Sequence, residues 1–223
     1  MAIQIYDTTL RDGAQQEGMN LTIADKVAIT GLLDGLGVGF IEGGWPGAVP
    51  KDTDFFAQMA AGAVPLRRAV LAAFGATRKP GVGAASDAQV QALLDAQAPV
   101  VTLVAKSDVR HVERALRTTP EENLAMIADT VAFLVSEGRR VFVDAEHFFD
   151  GYPVNPAYAR ACVAASFEAG AEGVVLCDTN GGMLPGQVGE IIAELRDATG
   201  TGGDDGAILG MHAHNDSRCA VAN

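Results

Sequence analysis

Short apolar runs alternate along the chain with longer stretches in which apolar residues recur every three or four positions. The short runs fall near residues 3–8, 39–43, 68–74, 99–105, 140–146, 173–178 and 207–213, and their Val, Ile and Phe content predicts strands. Between them, residues 23–36, 52–62, 86–96, 119–137, 156–169 and 185–198 carry helical patterns. A strand followed by a helix, repeated at roughly thirty residues, is the βαβ unit, so the pattern predicts a parallel sheet covered by helices. The punctuation agrees. Thr119 before Pro120, Glu121 and Glu122 supplies an N-cap, a first-turn proline and acids near the positive helix end. Gly37, Gly138 and Gly170 fall where helix ends favour a left-handed residue.

Seven such units predict an α/β fold of the (β/α)8 TIM-barrel type. Barrels of this type run to about 250 residues, so the 223-residue chain is expected to be one catalytic domain over 1–223, incomplete before strand eight and without a regulatory domain. Open edges on the first and last strands predict a homo-oligomer or association through those edges.

Charge narrows the partners. Sixteen Lys and Arg against 28 Asp and Glu give a net charge of −12, which disfavours nucleic acid and anionic membrane surfaces. No run approaches the ~18 apolar residues of a membrane span, and the N-terminus lacks a signal-peptide pattern. Cys162, Cys177 and Cys219 show neither CxxC nor zinc-finger spacing, so a reducing cytoplasm is the expected setting. An anionic substrate would have to meet a local positive site.

Candidate chemistry gathers at the C-terminal ends of the strands, where βα barrels carry their sites. In "MHAHND" (211–216), His212 and His214 are two apart on a strand and so face the same side. A pair of ordinary loop histidines is the plainer alternative for that motif alone. Other strand ends, however, bring Asp7 and Asp12, Glu42, Asp144 and Glu146, and Asp178 toward the same rim, and crowded carboxylates call for a cation. Two imidazoles with one or more carboxylates suit Mn²⁺, Zn²⁺, Co²⁺ or Mg²⁺, which would polarise a ketone and stabilise an alkoxide. The Gly-rich "GVGFIEGGWPG" is no dinucleotide fingerprint; His111 reads as a surface or helix-start residue and Cys177 as a buried structural thiol.

"YDTTLRDGAQ" (6–15), "EGGWPG" (42–47), "DAEHFFDGY" (144–152), "CDTNGG" (177–182) and "HAHND" (212–216) together resemble the metal-dependent acyl-CoA Claisen-condensing TIM barrels. That family comprises isopropylmalate, homocitrate and citramalate synthases, with hydroxymethylglutaryl-CoA lyase as a relative; the second and third motifs are most similar to the citramalate branch. The resemblance implies that Asp12, His212 and His214 ligate the divalent metal and that Arg11 stabilises the keto or enolate oxygen. It also implies that Glu146 and Thr179 shape the 2-oxo acid site, Thr179 bonding the carboxylate, while Asp7, Glu42 and Asn180 stand at the rim without a role. The implied reaction joins acetyl-CoA, as co-substrate, to a 2-oxo acid, pyruvate giving citramalate for isoleucine biosynthesis, and then hydrolyses the thioester. A further asparagine metal contact and the CoA-binding region are expected beyond residue 223. The open alternatives are isopropylmalate or homocitrate synthesis, a related acyl-CoA lyase, a metal-dependent aldolase, or an inactive fragment or half of a split enzyme.

Overall fold

The computed structural model describes residues 3–199 and 207–223. Seven strands form one parallel sheet in chain order: β1 (Tyr6–Asp7), β2 (Phe40–Glu42), β3 (Val70–Ala76), β4 (Val100–Lys106), β5 (Arg140–Glu146), β6 (Gly173–Asp178) and β7 (Ile208–Ala213). Helices α1 (Ile23–Leu36), α2 (Pro50–Ala60), α3 (Ala88–Asp95), α5 (Pro120–Ser136), α7 (Pro156–Glu168) and α8 (Pro185–Thr199) connect them, with short α4 (Val109–His111) and α6 (Phe148–Gly151) between β4 and α5 and between β5 and α7. This is an incomplete (β/α) barrel.

Local rules place the helices. Thr22 and Asp25 form a reciprocal capping box at the start of α1, Thr22 Oγ1 accepting from Asp25 N at 3.1 Å and Asp25 Oδ2 from Thr22 N at 2.8 Å. Thr119 caps α5 by accepting from Glu122 N at 3.2 Å. Gly37, at φ 93°, closes α1 in the left-handed conformation expected of it.

The register decides which residues enter the barrel. Val100, Thr102, Val104 and Lys106 of β4 pair with Arg140, Phe142, Asp144 and Glu146 of β5, so the two strands present matching layers to the interior. At the N-terminal end the interior is aromatic: Phe40 packs on Tyr6 and Phe142 with ring centroids 5.8 and 5.0 Å apart. Moving up the strands, the inward residues turn polar. That gradient positions the site at the C-terminal rim.

Among the described residues β1 pairs only with β2 and β7 only with β6. Pairing on one side shortens β1 from the expected 3–8 to Tyr6–Asp7, and Ile3 and Ile5 are left 95% and 61% exposed. A cavity of about 260 Å³ between the two edges is lined by Tyr6, Thr8, Val175, Gly210 and Met211.

Candidate active site

The turn after β1 throws two charged side chains over the barrel mouth. Leu10, 1% exposed, anchors it from below, while Arg11 N and Gly13 N both donate to Thr8 O at 3.1 and 3.0 Å. Arg11 and Asp12 therefore face the rim. Across the gap, β7 delivers His212 and His214, whose Nε2 atoms stand 3.4 and 3.3 Å from Asp12 Oδ2.

One ligand atom from each of Asp12, His212 and His214 lies within 4.8 Å of the others. Ligand atoms held about 2.1 Å from one ion, about 90–109° apart, stand about 3.0–3.4 Å from each other, so this spacing fits a shared divalent cation. Electrostatics point the same way. Asp12 is pulled down to about 2 by its contact with His212 and by Arg11, and His212 is raised, first by Asp12 and then by the charge of Asp144. The attraction that holds a proton between these groups would equally hold a cation. Asp144 and Cys177 also lie within 4.8 Å of His212, with the Cys177 thiol pushed well up by burial.

Gly181 fixes the second histidine. The loop after β6 crosses beneath "HND", with His214 N donating to Asp178 O at 3.2 Å and Ser217 N to Gly181 O at 2.8 Å. Gly181 has φ 61°, and a Cβ there would lie 2.5 Å from Asp216 Oδ2, 2.8 Å from Asp216 N and 3.0 Å from the His214 carbonyl carbon. Only glycine allows the two loops to approach this closely.

Arg11 is clamped. Its Nε bonds the carboxylate of Glu42, which is 0% exposed and also accepts from Tyr6 Oη at 2.8 Å; its guanidinium lies 3.8 Å from the centre of the Phe74 ring. A carboxylate on one edge and a ring on one face leave the remaining N–H groups for the cavity and for Asp12, 3.4 Å from Nη1. Burial raises Glu42, and burial together with the Glu42 charge raises Asp144 to about 7.

Thr179 and Glu146 line the same cavity of about 540 Å³ as Arg11, Asp12, His212 and His214. Thr179 Oγ1 accepts from His147 N at 2.8 Å, which leaves its single O–H free to donate to a ligand. His147 adopts φ 58° to make that bond, and its ring stacks on His111 at 3.9 Å. Glu146 is bonded by the Lys106 ammonium. Lys106 and Phe74 carry no sequence motif that marks them; for Lys106, the alternation Val100, Thr102, Val104, Lys106 was the available signal.

Three rim residues go elsewhere. Asp7 is spent on Thr9, accepting from its N at 3.0 Å and its Oγ1 at 3.1 Å. Asp178, 0% exposed, accepts from Gly182 N and Met183 N at 3.2 and 3.1 Å and shapes its own loop. Asn180 donates to Asp150 at 2.9 Å.

A parallel (β/α) barrel that gathers Asp12, His212, His214 and a clamped Arg11 at its C-terminal rim has side chains that could hold a cation and polarise a carbonyl. The HMGL-like family model matches residues 2–223, and the chain belongs to that family. It is 60% identical over 222 residues to an (R)-citramalate synthase of Streptomyces coelicolor, spanning 100% of this chain and 40% of that protein. An (R)-citramalate synthase of Synechocystis is 53% identical, with 100% and 41% covered. The chain thus spans about 40% of the length of the curated relatives it matches. An HMG-CoA lyase structure from Bacillus subtilis superposes with TM-score 0.77 over 99% of this chain and 71% of that one, at 18% identity, a likeness of fold.

Proposed function

We propose that this chain carries the catalytic barrel of an acyltransferase that condenses acetyl-CoA with pyruvate and hydrolyses the thioester to release citramalate. The observation that carries this reading is the convergence of Asp12, His212, His214 and Arg11 on one cavity. The 60% and 53% identity to (R)-citramalate synthases supports pyruvate as the oxo acid.

Asp12, His212 and His214 would hold a divalent metal, which when bound supplies Lewis-acid polarisation of the ketone. Arg11, fixed by Glu42 and Phe74, offers N–H donors to the ketone oxygen as it gains negative charge. Thr179 donates its free O–H to the oxo-acid carboxylate. Glu146 completes the wall of the oxo-acid site. Fixed donors of this kind lower the barrier by holding the ketone in one orientation before the acetyl carbon attacks.

Thiol release from acetyl-CoA tests the reading. With Mn²⁺, release should require pyruvate and yield citramalate by mass spectrometry, and Arg11→Ala should abolish it. Release independent of any 2-oxo acid, or a cleavage product of an acyl-CoA in its place, would overturn it.

A further inference from the structure

The cavity wall facing the chelate holds an ion pair whose position has a consequence for selectivity. Lys106 and Glu146 are paired in register on β4 and β5 and are the last residues of those strands to face inward. Their side chains are 22% and 24% exposed, and each is the other's only charged partner within ion-pair distance among the described residues. Of the other cations lining the cavity, Arg11 is matched by Glu42 and buried Arg78 by Glu122 and Asp129 at 2.8 and 2.6 Å, while Lys79 is exposed.

Phe74, Val104 and this pair line the same cavity as Arg11 and Thr179, so the substituent of a 2-oxo acid held by those two residues would have this wall to meet. A methyl group leaves the pair intact. A second carboxylate would meet Glu146, a like charge, and could bond Lys106 only by displacing it. On the reading of the site given above, we infer that the Lys106–Glu146 pair is a specificity filter: it excludes dicarboxylic 2-oxo acids by occupying the ammonium at this wall that would capture their second carboxylate. Glu146 then sets selectivity through Lys106, and freeing Lys106 should create an affinity that the protein lacks.

The test is calorimetric titration of the Mn²⁺-loaded chain with pyruvate and with 2-oxoglutarate. Glu146→Gln should bind 2-oxoglutarate at least about tenfold more tightly than the unmodified protein does. The gain should vanish in Lys106→Met/Glu146→Gln, and Glu146→Ala should reproduce it should the glutamine variant fold poorly. No gain in either single variant, or a gain that survives loss of Lys106, overturns the filter. Failure of the unmodified chain to bind pyruvate counts against the proposed function instead, since the 2-oxoglutarate comparison is made between variants.

Discussion

Gly181→Ala isolates the geometric argument for the chelate. The substitution adds one methyl at φ 61°, where a side chain costs about 1–2 kcal/mol. That methyl meets Asp216 N at 2.8 Å and the His214 carbonyl carbon at 3.0 Å, both backbone atoms that cannot swing away. Relief requires the loop carrying His214 to retreat by roughly half an ångström, whereas a metal site tolerates distance errors of only about 0.2 Å. Losing the fit of one ligand should weaken Mn²⁺ binding by about 10- to 100-fold, the range seen when ligand orientation is disturbed. Gly182→Ala is the control, because a Cβ there meets nothing within 4 Å. Calorimetric titration of Mn²⁺ into both variants reads the difference. Equal affinity in Gly181→Ala and the parent protein would refute the claim that this close approach sets the position of His214.

Three further outcomes follow from buried charge. Glu42→Gln removes the carboxylate from a nearly buried Arg11 and should cost about 3–5 kcal/mol in urea denaturation; a loss under about 1 kcal/mol would contradict the clamp. Asp52 bonds buried Lys26 and accepts from Trp45 N at 2.8 Å, so Asp52→Ala should destabilise by a similar amount, while Lys26→Met/Asp52→Leu should recover much of the loss; a double variant as unstable as the single would argue against an uncompensated charge. Asp144, raised to about 7 by burial and Glu42, keeps a proton in the folded state that the unfolded chain releases near pH 4. Metal-free protein should therefore lose stability between about pH 4 and 7, by at most about 4 kcal/mol, and Asp144→Asn should flatten that slope; an unchanged slope would remove Asp144 as its source.

Much of this was legible in the chain because each signal was local. Strand and helix periods, the Thr119 cap and the left-handed Gly37, Gly138 and Gly170 depend on residues a few positions apart, and they appear where expected. His212 and His214 were legible as a pair for the same reason. The clamp on Arg11 was not, because Glu42 and Phe74 reach it from other strands and register alone brings them together. Lys106 was hidden likewise, its partner lying 40 residues away. Carboxylates at strand ends misled in the opposite direction: Asp7 and Asp178 satisfy nearby backbone N–H groups, a local use that motif spacing does not distinguish from a ligand.

The central claim, that Asp12, His212 and His214 hold one divalent ion, is tested most directly by counting Mn²⁺ bound per chain by electron paramagnetic resonance. The account predicts one ion in the parent protein and none at the same concentration in His212→Ala. One ion retained by that variant, or none in the parent protein, would contradict it.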